Sequence, residues 1–230
     1  MLSNEASQAP MMSMRESERE PQSIRQCDQP LPDYLLPGLR ALFVGINPGL
    51  RSAAVGHHFA GRGNRFWKLL ADAELIPEQI SYTEDWRLLQ WGFGLTNLVT
   101  RVTRSIQDLT RQDFQSGRAR LLELVDQSRP GVIVLVGVSL HAAVFPSARS
   151  SKGASWRCDR WGRCEHRLAG TPVFVLPNPS GRNAHYPYDD MLSAYRALRR
   201  YLDEHLPPHD ACLQLDFLRS ANILRIVDHG

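Results

Sequence analysis

The chain of 230 residues has only four cysteines, Cys27, Cys158, Cys164 and Cys212, and no two of them form a CxxC pair. Cysteines so far apart argue against a zinc ribbon and against a dense disulfide framework. No apolar run approaches the ~18 residues that span a bilayer. Residues 1–20 also lack the apolar core of a signal peptide. The sequence therefore predicts a soluble, cytoplasmic protein with reduced thiols and no membrane partner.

Neither sign of charge dominates the chain, whose formal net charge is +3, but the charges are unevenly distributed. Residues 31–206 carry 22 basic and 16 acidic side chains, whereas residues 1–30 and 207–230 are each net acidic. A basic region suits a polyanionic partner such as DNA, although many enzymes without such a partner are equally basic.

Length and composition predict one domain, residues 31–206, between two tails. Residues 1–30 are rich in Ser, Glu, Gln, Arg and Met without a helical or strand period, so we expect a disordered leader. Residues 207–230 form a C-terminal extension whose structure the sequence leaves open.

Short apolar runs bounded by Gly or Pro predict buried strands, and segments with helical spacing alternate with them. The predicted strands are residues 41–46, 131–137 and 172–176, and the predicted helices are residues 64–73, 112–128, 139–145 and 189–205. This alternation predicts an α/β fold, a three-layer αβα sandwich with a central, mainly parallel sheet. Ligands of such folds bind at the carboxyl ends of the strands, so the loops after Ile46 and Leu176 should face each other across one cleft.

Two motifs lie at these strand ends, Gly45-Ile-Asn-Pro-Gly-Leu-Arg-Ser52 and Pro177-Asn-Pro-Ser-Gly-Arg-Asn-Ala-His-Tyr-Pro187. A third segment is Gly94-Leu-Thr-Asn-Leu-Val99. Together they resemble the motifs of the mismatch-specific uracil/thymine-DNA glycosylases, a branch of the uracil-DNA glycosylase superfamily. The resemblance extends in order and spacing from roughly Pro37 to Leu202.

The resemblance implies a monofunctional DNA glycosylase of base excision repair. Its substrate would be uracil, with thymine or other modified pyrimidines as further substrates, opposite guanine in double-stranded DNA. Base flipping would bring the nucleotide into the cleft. We expect a monomer that needs no cofactor and, if the source is bacterial, one associated with the nucleoid.

Asn47 is the candidate catalytic residue. An amide at the end of a buried strand can hold a water molecule, but it is no strong general base. The resemblance implies that Asn47 positions the water that attacks the sugar. Alternatively, Asn47-Pro48-Gly49 forms only a turn after a strand.

Four residues are candidates for binding the base. The resemblance implies that Phe59 stacks on the flipped base and that backbone amides near Ile46 and Phe59 donate to its carbonyls. Asn97 would reach the base edge, and Ser52 would lie near the pyrimidine C5 atom, where its hydroxyl favours uracil over thymine. The alternatives are core packing for Phe59 and purely structural hydrogen bonds for Asn97.

The second loop supplies the candidate DNA contacts. Asn178 and Ser180 would contact phosphates, and Gly181 would allow the backbone to approach the unpaired guanine. Arg182 would enter the vacated space, followed by Asn183. Some bacterial relatives carry an aliphatic wedge where this chain has Arg182, so the wedge chemistry is expected to differ. A proline-stiffened turn is the alternative interpretation.

Several residues near Phe59 are predicted to have no catalytic role. His57 and His58 are expected to be exposed loop histidines without a catalytic role. Arg62, Arg65 and Lys68 are interpreted either as phosphate contacts or as solvated surface charge. Asn64 is predicted to cap a helix.

No metal is assigned, because Cys158, Cys164 and His166 fit the spacing of no common site and the family branch needs none. Two alternative functions stay open. One is a non-catalytic DNA lesion-binding module on the same scaffold. The other is a nucleotide-binding α/β hydrolase whose Gly45–Gly49 loop holds a phosphate, although the chain lacks the Lys-Ser/Thr pair of such loops.

Overall fold

The computed structural model describes residues 29–146, 161–183 and 185–207. Nearly all of the predicted leader and of the C-terminal extension, residues 1–28 and 208–230, lies outside the described residues, so both remain predictions. In the described ranges, no helix has the length and apolar character needed to cross a membrane.

Five strands form one sheet at the centre of the domain. They are β1 (Ala41–Gly45), β2 (Phe93–Asn97), β3 (Val132–Val136), β4 (Gly162–Leu168) and β5 (Thr171–Leu176). Their spatial order is β2-β1-β3-β5-β4. The first four strands in this order run parallel, whereas the edge strand β4 runs antiparallel to β5. The predicted mainly parallel sheet is confirmed.

Helices cover both faces of this sheet. They are α1 (Leu50–Val55), α2 (Phe66–Asp72), α3 (Arg111–Ser128), α4 (Val138–Val144) and α5 (Tyr188–His205), with 3-10 segments at Tyr82–Trp91 and Ile106–Asp108. One core packs α2 and α5 on the sheet, and a second core packs α3 and α4 on the opposite face. The three-layer sandwich predicted from the sequence is therefore confirmed.

The central strand β1 is buried on both faces, which explains its unbroken apolar sequence. Phe43 lies in the core under α2 and α5, whereas Leu42 and Val44 lie in the core under α3 and α4. Alternate side chains of a strand point to opposite faces. Because helices cover both faces, each large side chain is buried and stabilises the fold by about 1.5–3 kcal/mol.

Two strands were absent from the sequence prediction. Along β4, half-buried and exposed residues alternate, so its sequence is too polar to resemble a central strand. In β2, Gly94 weakens the strand signal. A Cβ at Gly94 would lie 2.5 Å from Cδ1 of Leu39 and 2.7 Å from the carbonyl oxygen of Tyr34, so the packing requires glycine there.

Side-chain hydrogen bonds mark the starts of two helices. The Asn64 Oδ1 atom accepts a hydrogen bond from the Phe66 amide at 3.0 Å, but the N-cap of α2 is Arg65, one residue after the predicted Asn64, and the Arg65 side chain makes no capping bond. At α3, the Thr110 hydroxyl accepts from the Asp113 amide and the Asp113 carboxylate accepts from the Thr110 amide. This reciprocal pair is a capping box.

The adjacent parallel strands β1, β3 and β5 end at the same edge of the sheet. Two loops leave this edge. The first loop comprises residues 46–65 and contains α1, and the second loop comprises residues 177–187. The topology therefore brings together the two motifs that lie far apart in the sequence.

Candidate functional site

The two loops are in direct contact. A Cβ at Gly137 would lie 3.8 Å from Cβ of Asn178 and 4.0 Å from Cδ1 of Ile46, so the two loops begin on either side of the end of β3. Farther out, a Cβ at Gly181 would lie 2.9 Å from the Gly63 carbonyl oxygen. This close approach of two backbones requires glycine at position 181.

Asn47 follows β1, and hydrogen bonds donated by its side-chain amide nitrogen fix its orientation. Nδ2 donates to the carbonyl oxygens of Pro48 at 3.1 Å and Arg101 at 3.2 Å, and to the Thr103 hydroxyl at 2.8 Å. Because carbonyl oxygens only accept, these contacts fix which end of the amide is nitrogen. In the described part of the chain no donor reaches Oδ1. This oxygen is therefore the atom that half-buried Asn47 offers to a further molecule.

Phe59 has a left-handed backbone conformation, with φ at 51°. Its ring stacks on Phe66, with the centroids 4.0 Å apart and the planes 20° from parallel. A positive φ is uncommon for a bulky residue and persists only where the surroundings impose it. Here the next residue is held on both sides, because the Ala60 amide donates to Ser52 Oγ at 3.1 Å and the Ala60 carbonyl accepts from Arg51 Nε at 2.8 Å.

The fully buried carboxylate of Asp85 holds the residues before Phe59. Asp85 accepts from the His58 amide at 2.8 Å, from the Tyr34 hydroxyl at 3.0 Å and from His57 Nδ1 at 3.1 Å. A buried charge is tolerated only with such partners. Burial, reinforced by the charge and hydrogen bond of Asp85, raises the pKa of Tyr34.

Asn97 ends β2 and lies beside Phe59. A Cβ at Gly45 would lie 2.5 Å from Asn97 Oδ1 and 3.6 Å from Phe59 Cζ. The three residues thus meet at one point, and a larger residue at position 45 would displace the Asn97 amide.

His58 orients the Asn97 amide. His58 Nε2 lies 2.8 Å from the Pro32 carbonyl oxygen, so Nε2 carries the proton. Burial lowers the pKa of His58, which keeps the ring neutral and leaves Nδ1 as an acceptor. Asn97 Nδ2 lies 3.4 Å from this Nδ1, so the Asn97 oxygen faces Gly45. The expectation that His58 is an exposed loop histidine is wrong, because His58 is only 1% exposed.

Ser52 and Ile46 line the same loop. The buried Ser52 hydroxyl accepts from the Ala60 amide and so fixes the distance between α1 and the residue after Phe59. The Ile46 carbonyl accepts from the Val99 amide at 2.8 Å, which joins the ends of β1 and β2. The backbone amides of Ile46 and Phe59 donate to no acceptor among the described residues.

The second loop is built largely by its own side chains. Asn178 Oδ1 accepts from the Ser180 amide at 3.0 Å, and Ser180 Oγ accepts from the Arg182 amide at 3.3 Å. Asn183 Nδ2 donates to the Asn178 carbonyl at 2.8 Å. The polar side chains are thus used within the loop, and they present Gly181 and Arg182 exposed at its tip.

Arg65 joins the two loops. Its Nη2 donates to the carbonyl oxygens of Asn183 at 3.1 Å and Ser180 at 3.4 Å, and its backbone amide donates to the Pro179 carbonyl at 2.9 Å. Its guanidinium therefore donates hydrogen bonds to backbone carbonyls of the second loop, and it is not a solvated surface charge. Lys68 instead pairs with Asp72 at 2.5 Å.

A family model described as the uracil DNA glycosylase superfamily matches residues 32–199, well over half of the chain. The chain belongs to the uracil DNA glycosylase superfamily. The described fold agrees with this family. A solution NMR structure of a Methanosarcina acetivorans protein, provisionally named a uracil DNA glycosylase, superposes with a TM-score of 0.53. The two chains are 21% identical, and the match covers 76% of this chain and 98% of that one.

Superfamily membership makes the chain a DNA glycosylase, a hydrolase that acts on DNA. Among the residues expected to serve this activity, Asn47, Phe59 and Asn97 lie at neighbouring strand ends and on the first loop. Gly181 and Arg182 lie at the tip of the adjoining second loop.

The sequence interpretation missed two residues that support the candidate site, Asp85 and Thr103, and it missed the internal role of Arg65. Asp85 follows Glu84, which pairs with Arg87, and nothing in the sequence shows which of the two acidic residues is buried. Their contacts span long separations along the chain, so no local pattern identifies them.

Proposed function

We propose that the chain is a monofunctional glycosylase that removes uracil opposite guanine from double-stranded DNA by base flipping. The orientation of the Asn47 amide is the observation that carries this proposal. Its nitrogen is used by three acceptors, so its oxygen is free to orient a water molecule. Thymine and other C5-modified pyrimidines opposite guanine are slower substrates, and the protein acts as a monomer.

The flipped uracil stacks on Phe59, a contact worth about 1–3 kcal/mol in comparable sites. Asn97 Oδ1 accepts the N3–H of uracil. Cytosine has no hydrogen at N3, so this acceptor disfavours the normal base. The backbone amides of Ile46 and Phe59 donate to the uracil carbonyls and stabilise the negative charge of the leaving base. The Ser52 hydroxyl, near C5, disfavours the methyl group of thymine.

The reaction breaks the C1′–N1 bond, and its electron pair leaves with the base. Because an amide is a weak base, Asn47 orients the water without removing its proton in advance. The water oxygen bonds to C1′ of the oxocarbenium-like sugar and releases its proton to solvent. The departing uracil anion takes up a proton from solvent, so the products are free uracil and an abasic site.

A lysine Schiff base is no part of this mechanism. Water is the nucleophile of the proposed reaction, so strand cleavage by the protein itself is not expected. Lys68, one of the two lysines of the chain, pairs with Asp72.

The second loop contacts the DNA around the flipped nucleotide. The exposed Arg182 guanidinium fills the vacated space, since it can stack on bases and still reach phosphates. The Gly181 backbone approaches the unpaired guanine, with Asn178, Ser180 and Asn183 near the phosphates. The exposed Arg51 and Arg62 of the first loop add positive charge on the same side.

The test is single-turnover base release from end-labelled duplexes that contain G:U, G:T or A:U, and from single-stranded uracil DNA, with alkaline cleavage of the abasic sites. We expect the fastest release from G:U. Asn47→Ala should slow release from G:U by at least about 100-fold, the usual contribution of a positioned catalytic group. The affinity of Asn47→Ala for the G:U duplex should be unchanged. In the exposed control Gln127→Ala, neither the rate of base release nor the affinity for the G:U duplex should change.

Three results would contradict parts of the proposal. Unchanged release by Asn47→Ala would remove Asn47 from the mechanism. Equal release from A:U and G:U would remove the mismatch specificity. Mismatch binding by the unsubstituted protein without release from any substrate would favour the lesion-binding module.

A further inference from the structure

A second group of reactive side chains lies outside the two loops. His141 belongs to α4, whereas Cys164 and His166 belong to the edge strand β4. Alternate residues of a strand share one face, so Cys164 and His166 lie on the same side of β4. Both are half-buried, and the buried His141 side chain meets them there.

The three potential ligand atoms converge on one point. His141 Nε2 lies 3.1 Å from Cys164 Sγ, and Cys164 Sγ lies 3.4 Å from His166 Nδ1. All three atoms lie within 4.8 Å of one another. In a tetrahedral zinc site with bonds of about 2.0–2.3 Å, ligand atoms are roughly 3.3–3.6 Å apart. The two separations that involve Cys164 Sγ agree with this spacing to within a few tenths of an ångström.

The surroundings are also suited to a metal. Phe145 packs against both imidazoles, with its ring centroid 5.0 Å from that of His141 and 4.9 Å from that of His166. Apolar walls limit access of water and strengthen the interaction between a cation and its ligands. One thiolate and two imidazoles are ligands that zinc prefers.

We propose that His141, Cys164 and His166 bind one zinc ion, which joins α4 to the edge strand β4. Three protein ligands leave a fourth position for water or another donor. The proposed role is structural, because β4 pairs with one strand, β5, in the described part of the chain, and the metal would add a bond between β4 and α4. This site is separate from the proposed glycosylase chemistry, and it differs from the expectation from spacing alone, in which no metal was assigned.

The experiment measures metal binding by the full chain. The protein is stripped with a chelator, dialysed and titrated with Co²⁺, which reports thiolate ligation through charge-transfer absorption, and then with Zn²⁺ in competition. We expect one equivalent of each metal, a thiolate band and displacement of cobalt by zinc. Zinc should also raise the Tm of the stripped protein.

Variants locate the ligands. Cys164→Ser should abolish the thiolate band and weaken zinc binding by at least about 100-fold, because losing a metal ligand costs more than the 10–100-fold loss caused by removing a group that only supports a ligand. His166→Gln should weaken zinc binding similarly but retain the thiolate contact. The controls Cys212→Ser and His205→Gln change the same residue types elsewhere in the chain. They should bind zinc as tightly as the unsubstituted protein does.

Base release from G:U is measured in parallel and should change by less than about twofold in Cys164→Ser, so a failure of this proposal is distinguishable from a failure of the glycosylase assignment. The proposal is overturned if the unsubstituted protein shows no thiolate band with Co²⁺. It is also overturned if Cys164→Ser and His166→Gln bind zinc as tightly as the two controls.

Discussion

The first and second loops reach the same edge of the sheet but are held in different ways. Asp85, in the 3-10 segment Tyr82–Trp91, fixes the first loop from outside, through the His58 amide and His57. The second loop is formed by hydrogen bonds among Asn178, Ser180 and its other residues. The conformation of the first loop therefore depends on a residue distant in sequence, whereas the shape of the second loop is mainly local.

The largest expected effect comes from removing the outside support of the first loop. Asp85→Ala leaves the buried His58 amide and two part-buried donors, the Tyr34 hydroxyl and His57 Nδ1, without their acceptor. An unsatisfied buried group costs about 1–3 kcal/mol, so we expect a loss of about 2–4 kcal/mol in the free energy of unfolding. Phe59 should also lose its fixed position, which should slow base release by about 100-fold. Urea denaturation and single-turnover release from G:U measure both effects.

The control for this substitution is Asp126→Asn, an exposed carboxylate on α3 that should change neither quantity. If Asp85→Ala unfolds like the unsubstituted protein, the first loop does not depend on its distant support and the comparison of the loops fails.

The next effect concerns the link between the loops. Arg65→Ala removes the donors to the Asn183 and Ser180 carbonyls and should loosen the tip that carries Arg182. We expect the preference for G:U over A:U to fall by about tenfold, equivalent to about 1.4 kcal/mol, while release from single-stranded uracil DNA stays nearly constant. Arg65→Lys keeps the charge but lacks the planar fork, and it should behave like Arg65→Ala. Retained selectivity in both variants would show that the second loop needs no link to the first.

A smaller effect should follow from the support of Asn47. The Thr103 hydroxyl donates to the Ser105 carbonyl at 2.7 Å and accepts from Asn47 Nδ2 at 2.8 Å. Thr103→Val removes this acceptor, and the loss of one hydrogen bond of about 1 kcal/mol should slow release by about fivefold without changing DNA affinity. Thr103→Ser restores the hydroxyl and should restore the rate. A Thr103→Ser variant as slow as Thr103→Val would assign the effect to packing.

The last expected effect is a dependence of stability on pH. Burial lowers the pKa of His58 in the folded protein below 6.5, so the unfolded chain binds more protons as the pH falls through 6.5. The free energy of unfolding should therefore fall by up to about 1.4 kcal/mol for each pH unit below 6.5, because the unfolded chain binds a proton at His58 that the folded protein does not. Above pH 6.5 the stability should not depend on His58 protonation. Asp85, Asp33 and His57 also face His58, so the slope is compared with that of His58→Gln. Equal slopes would show that His58 does not contribute.

Much of the fold could be predicted because the decisive signals are local. The apolar run ending in Ile46 predicts β1, and Asn64 predicts the N-cap of α2 to within one residue. The strand β4 was missed because its polar sequence becomes a strand only beside β5. For the site, the motif resemblance predicted Asn47 and Phe59 as site residues, and their catalytic and base-binding roles remain predictions.

The mainly parallel sheet, the edge where the two loops meet and the superfamily were predictable from the sequence alone, because apolar periodicity and the loop motifs are properties of short segments. The groups that surround those loops could be identified only from the folded domain. Folding buried Asp85 against His58, used Arg65 within the protein and brought His141 to Cys164. These contacts join residues far apart in the chain, and whether a polar side chain is buried or exposed depends on the packing of the whole domain.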